Sequence, residues 1–186
     1  GLGMFFVEPL RTVRGVAEVA LKATPLVLCA LGLAVCYRAN VWNIGAEGQF
    51  LLGAIASGGV ALYVTTHGIA APQWAMTPVV LVAGILGGMA WASITALARD
   101  RFNANEILVS LMLVYVAQQF LNYLVFGPWK DPQGFNFPQT KTFVAATLLP
   151  NMVPQSRLHI GFAIMLVLVA VFWAFMFRSW RGFQLQ

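Results

Sequence analysis

Residues Asn40 to Gln49 read Asn-Val-Trp-Asn-Ile-Gly-Ala-Glu-Gly-Gln and lie between two apolar runs. They place a carboxylate (Glu47), two amides (Asn43 and Gln49) and two glycines (Gly45 and Gly48) within a few residues of one another. A charge beside membrane-length apolar segments is costly in lipid, so it faces a protein interior or a water-filled cavity. A polar stretch interrupted by glycine between such segments suits a path for a solute. Glu47 has two readings. It caps or pairs, with Arg38 one available partner, and only shapes a broken helix. Or it faces the solute and gates the path. A path for a neutral solute does not require a carboxylate, which favours the structural reading.

A second polar group lies further along. Gln118 and Asn122 are four residues apart, and Tyr115 is three before Gln118, so all three share a helix face. Gln119 is beside them. Such side chains suit a hydroxylated solute, and they equally suit hydrogen bonding between helices. Both readings stay open. Asn105-Glu106 opens the same segment. Asn caps helices, and an acid is favoured in a first turn; a functional reading puts Glu106 at a cytoplasmic contact with a partner subunit. Gly84 and Gly88, with Gly87 between, and Ala54 and Gly58 have the four-residue spacing that lets helix backbones approach. Catalytic constellations are absent. The sequence has no Gly-x4-Gly-Lys-Ser/Thr phosphate loop, no His-Glu-x-x-His and no Gly-x-Ser-x-Gly. His67 and His159 stand alone, so no metal site and no catalytic residues are expected. Cys29 and Cys36, on one helix face but too far apart to bridge, read as packing residues.

Composition places these groups in a membrane. The chain is 60% hydrophobic and 9% charged, with a mean hydropathy of +0.78. Soluble domains are about 45–50% apolar and about 25% charged. The net charge of +5 comes from basic residues scattered singly at the ends of apolar runs. That pattern suits membrane orientation and gives no basic stripe for nucleic acid. The expected class is an all-α polytopic transmembrane bundle of about five membrane helices, with a broken-helix segment and a long external loop. The apolar runs are Val19–Tyr37, Phe50–Thr65, Met76–Ala98, Ile107–Gly127 and His159–Phe177. The second is short for a span of about 20 residues, so it borrows motif residues or crosses incompletely.

Read as domains, 1–186 is one transmembrane unit. Residues 1–18 form an outer interfacial segment, 19–127 carry helices one to four, and 128–158 form the external Pro-rich loop. Helix five occupies 159–178, and 179–186 begin a cytoplasmic region. Within the loop, the run Phe143–Leu149 is too short to span and reads as dipping or interfacial. Arg99-Asp-Arg101 and Arg178 with Arg181 are expected on the cytoplasmic side, and the loop after Thr66 outside. The basic external loop, with Lys130, Lys141 and Arg157 against Asp131, runs against that rule. The opening Gly-Leu-Gly-Met, without a start methionine, reads as a fragment.

These motifs, in this order, resemble the permease subunits of bacterial ABC importers. The group is the branched-chain amino acid and simple-sugar permease superfamily, in its nucleoside and simple-sugar branch. The resemblance rests first on Ala23-Thr-Pro-Leu and on Asn43-Ile-Gly-Ala-Glu-Gly-Gln49 with Gly53-Ala54. It continues in Asn105-Glu106-Ile, Ser110-Leu-Met-Leu113, Gly127-Pro-Trp, Asp131-Pro-x-Gly134 and Pro138-Gln-Thr140. Arg178-Ser-x-x-Arg181-Gly182-Phe183 looks like the lead-in to a segment that docks on an ATPase. The branch usually carries Asn where Val114 stands. The resemblance implies roughly the first half of a permease in a bacterial inner membrane. A second permease subunit, a cytoplasmic ATPase that binds the ATP, and an extracytoplasmic binding lipoprotein would complete it. No cofactor and no covalent chemistry are expected in this chain. The alternatives are an ion-coupled carrier or channel using Glu47 without an ATPase, and a membrane enzyme, for which no catalytic pair exists.

Overall fold

The computed structural model describes residues 3–4, 7–134, 137–152, 156–180 and 182, and only the backbone of residues 8 and 9. A short helix α1 (Glu8–Arg11) is followed by α2 (Val13–Arg38), α3 (Ala46–Thr66), α4 (Gln73–Phe102) and α5 (Glu106–Phe126). A 3-10 turn at Ala145–Thr147 then precedes α6 (Gly161–Arg178). The five helices α2 to α6 are each long and apolar enough to cross a membrane. The described residues contain no strand, only isolated bridges joining Lys130 to Thr140 and Asn151 to His159.

Local chemistry moves several boundaries from those expected. The Thr12 hydroxyl accepts the Gly15 N–H at 3.0 Å, an N-cap that starts α2 at Val13. Residues 13–18 are therefore continuous with the helix that reaches Arg38. Phe5 and Phe6 lie outside the described residues. Helix α3 takes Ala46 to Gln49 into its first turn and reaches 21 residues, about 31 Å at 1.5 Å per residue. The second run thus borrows motif residues, and the break falls in the residues before Ala46. Helix α4 has 30 residues and holds Arg99 and Arg101 in its last turn, where cations complement the carbonyl end. Asn103, with φ +48, ends the helix, and the Asn105 side chain accepts the Ile107 N–H at 2.9 Å to start α5.

The chain packs as two compact units, Gly1–Val41 with Leu149–Gln186, and Trp42–Leu148. In the first unit α2 and α6 run parallel. Leu10, Val16 and Ala20 share an apolar groove with Leu158 and Phe162 at one end. At the other end the Arg38 guanidinium sits 5.2 Å over the Phe177 ring. The N–H groups of Met152 and Ile160 reach the carbonyls of Leu158 and Pro150, at 2.8 and 3.0 Å, and close the turn into α6.

In the second unit α4 runs antiparallel to α3 and α5. A glycine seam joins α3 and α4. A Cβ on Gly53 would stand 3.0 Å from the Gly84 carbonyl oxygen, and one on Gly88 would stand 3.2 Å from that of Gln49. Gly87 is tighter: its Cβ would lie 2.5 Å from Ala56 Cβ. Gly84 and Gly88 therefore lie in the seam. Ala54 does not; it is exposed, and Gly53 and Ala56 take the α3 side. Gly58 and Gly59 instead meet the loop after α5, where a Cβ on Gly59 would be 3.3 Å from the Trp129 ring.

That loop fills a step between helices. Gly48 packs on Val114, so the last residue of α5 is level with Val60, about 9 Å short of the end of α3. The Val144 N–H reaches Thr65 Oγ1 at 3.2 Å, and the Gln73 amide reaches the Leu148 carbonyl at 2.7 Å. The Phe143–Leu149 run is this pinned connection, holding one 3-10 turn.

Candidate functional site

The polar connection is self-satisfied. Asn43 Oδ1 accepts the Gly45 N–H at 2.9 Å, an Asx turn that bends the chain into α3. The Asn43 and Gln49 amides bond reciprocally, Nδ2 to Oε1 at 3.2 Å and Nε2 to Oδ1 at 3.3 Å. Two amides that read as candidates for a solute thus occupy one another. Asn40, with φ +54, makes the preceding turn, a conformation asparagine tolerates better than most residues.

The glycines seat this connection on α5. A Cβ on Gly45 would lie 2.8 Å from Ser110 Cβ and 3.0 Å from its carbonyl oxygen. A Cβ on Gly48 would lie 3.1 Å from Val114 Cα, 3.3 Å from the Leu113 carbonyl and 3.3 Å from Trp91 Nε1. The approach is backbone to backbone, which only glycine permits. The Ile44 N–H donates to Ser110 Oγ at 3.3 Å, and Ser110 is 1% exposed. Trp91 Nε1 is buried there with no acceptor among the described residues.

Glu47 is exposed in the first turn of α3 and has no ion-pair partner among the described residues. Its position gives the helix N-terminus a favourable negative charge. Arg38 lies over Phe177. Glu106 does pair, with Arg99 at 3.1 Å, and this joins the end of α4 to the start of α5.

Tyr115, Gln118, Gln119 and Asn122 form an outward-facing stripe on the flank of α5, whose packed face holds Ser110, Ala117 and Leu124. Tyr115 is 65% exposed. None of the four side chains has a hydrogen-bond partner among the described residues. From Tyr115 to Asn122 the stripe covers about 14–24 Å of the helix from Glu106, which is mid-span. The connection meets α5 from Ser110 to Val114 and the stripe runs on from Tyr115, so the two are neighbours along one helix and not one cluster.

Beyond α6 the chain folds back. Ser179 Oγ donates to the Phe175 carbonyl at 2.6 Å and accepts the Gly182 N–H at 2.9 Å. Gly182 is buried, and a Cβ there would overlap the Phe175 and Met176 carbonyl oxygens. It shapes the exit from α6. Arg178 is exposed; Arg181 lies outside the described residues. Among those residues no cluster of His, Cys, Asp or Glu could hold a metal ion.

Sequence reasoning missed Ser110 and Trp91 as parts of the site. The available signal for Ser110 was a hydroxyl placed one turn into an apolar helix. Nothing in the sequence marks Trp91.

Residues 15–186 match the family described as branched-chain amino acid transport system, permease component. The chain belongs to that permease family. It is 36% identical to the glucose ABC transporter permease of Haloferax volcanii, an alignment covering 98% of this chain and 49% of the relative. It is 30% identical to the guanosine ABC transporter permease of Bacillus subtilis, over 92% of this chain and 48% of that protein. A nucleoside ABC transporter permease of Lactococcus lactis is 24% identical over 97% of this chain and 50% of its own length. The chain thus spans about half the length of the curated relatives it matches. No solved structure matches. The family and the five helices make this permease component a multi-pass membrane protein.

Proposed function

We propose that this chain contributes the solute pathway of an ATP-driven importer for a nucleoside or a simple sugar in a bacterial inner membrane. The observation that carries the reading is the family match over residues 15–186, with relatives named for glucose, guanosine and nucleoside transport. The stripe of Tyr115, Gln118 and Asn122 agrees with it. These side chains offer hydrogen bonds to hydroxyls and base edges without a buried charge. ATP binds on a separate cytoplasmic subunit, a second permease subunit completes the pore, and an extracytoplasmic lipoprotein delivers the solute. The chain itself has no catalytic role, and Arg178 to Gly182 lead toward the ATPase. An ion-coupled carrier would need Glu47 as its ion site. Its place in an exposed first turn, where a helix dipole accounts for it, gives that alternative no support.

The test is uptake of labelled guanosine, other nucleosides and glucose by cells carrying the full-length permease with its ATPase and lipoprotein. A second strain carries a Walker-lysine substitution in the ATPase. Uptake lost in that strain is the expected result. Undiminished uptake there would leave the importer reading without a basis.

A further inference from the structure

A serine hydroxyl inside an apolar helix usually bonds a carbonyl of its own preceding turn. Ser110 does so, reaching the Ile107 carbonyl at 3.1 Å. Its oxygen also accepts the N–H of Ile44, 66 residues earlier in the chain. The bond is part-buried, although the Ile44 side chain is exposed. Around this bond nothing flexible separates the connection from α5. Gly45 meets the Cβ and carbonyl oxygen of Ser110, and Gly48 meets the backbone of Leu113 and Val114. Contacts of backbone on backbone hold no side chain that could yield, and packed interiors transmit displacement more than they absorb it. On its other side the connection is braced by the Asn43–Gln49 amide pair. The same helix carries Tyr115, Gln118 and Asn122, about 7–18 Å beyond Ser110.

We propose that Ser110 is a positioning residue for transport. It fastens the 42–49 connection to α5, so that a displacement of the connection carries the Tyr115–Gln118–Asn122 stripe with it. The inference rests on the importer reading above. Ser110 touches no solute and acts through α5. Without the hydroxyl, the Ile44 N–H loses its acceptor and the connection can slip along the helix. ATP is then hydrolysed with less solute moved, while the stripe still meets solute as before.

The experiment uses the full-length permease with its ATPase and binding protein in proteoliposomes, with labelled guanosine and glucose as probes. Solute uptake and ATP hydrolysis are measured together in the wild type, Ser110→Ala and Gly45→Ala. The second variant keeps the hydroxyl but presses a methyl group onto Ser110. The expected result in both variants is a fall in solute moved per ATP, with the half-saturating solute concentration unchanged. A fall of about fivefold corresponds to one lost hydrogen bond. Uptake and hydrolysis falling together at a constant ratio would make Ser110 a folding residue only and overturn the inference. If Ser110→Ala fails to insert, Gly45→Ala decides by the same ratio. Wild-type uptake indifferent to ATP would overturn the importer reading itself, before any variant is compared.

Discussion

At Gly48 the neighbours are Val114 Cα and the Leu113 carbonyl, neither of which can rotate aside. Gly48→Val is therefore expected to push the connection off α5. The cost is about 1–3 kcal/mol, typical of an overpacked contact, read as a lower melting temperature of the detergent-purified permease. Uptake should be lost while the protein still inserts; normal uptake would remove the close-packing role. Glu47, two positions into α3 and exposed, should behave differently. Glu47→Gln removes a favourable helix-end charge worth about 0.3–1 kcal/mol. It should leave the ranking of solutes unchanged in a competition assay. A changed ranking would put the carboxylate in the path. The contrast shows what a sequence can tell about single residues. A cluster of polar residues between apolar runs was legible, because burial in lipid makes polarity informative. That Asn43 and Gln49 satisfy each other was not, because an amide's partner is set by how the chain bends at Asn40 and Gly45. Ser110 was invisible as a clasp for the same reason: its partner lies 66 residues away.

Among the elements, the five membrane helices were readable from apolar length alone. Their ends were not, because hydropathy marks the lipid-matched middle of a helix and caps decide where it starts and stops. Thr12 and Asn105 extend or fix helix starts, and α4 continues through Arg99 and Arg101 because charged residues suit a last turn. Helix packing was half legible. Four-residue glycine spacing identified α4 as a close-packing helix, but neighbouring rows on a helix are separated by only about 100°. Hence Ala54 and Gly58 were paired in sequence where Gly53 and Ala56 make the contact. The seam gives a graded prediction. A Cβ on Gly84 would stand 3.4 Å from its nearest neighbours, ordinary contact. Gly84→Ala should thus be neutral or stabilising, by up to about 1 kcal/mol from helix propensity. Gly87→Leu must overlap Ala56 and the Leu52 carbonyl, and should separate α3 from α4. Thermal unfolding of the two variants checks the order. Equal melting temperatures would mean that the seam opens more easily than its distances imply.

For the whole molecule, the open matter is which way the bundle faces, and the charge pattern makes that a sharp test. The helices α2, α4 and α6 each end in arginine, at Arg38, Arg99 with Arg101, and Arg178. If each span crosses the membrane once, alternation in the sequence is expected to put these ends on one side. The other side also holds basic residues: Arg11, Arg14 and Lys22 near the first span, and Lys130, Lys141 and Arg157 in the long loop. A bare count therefore barely separates the two sides. The basic pair beside the short α4–α5 turn favours a cytoplasmic face, while the basic residues of the 128–158 loop count against it. On the ground of that pair we expect the arginine ends to face the cytoplasm. The check uses a full-length permease with Cys29 and Cys36 replaced by alanine and single cysteines added. Ile69→Cys and Lys141→Cys should react with a membrane-impermeant maleimide in intact cells. Phe102→Cys and Trp180→Cys should react only after permeabilisation. The reverse pattern would carry the Asn43–Gln49 connection to the outer face. Ser110 would then lie at the wrong end of α5 to pass a cytoplasmic stroke to Tyr115, Gln118 and Asn122.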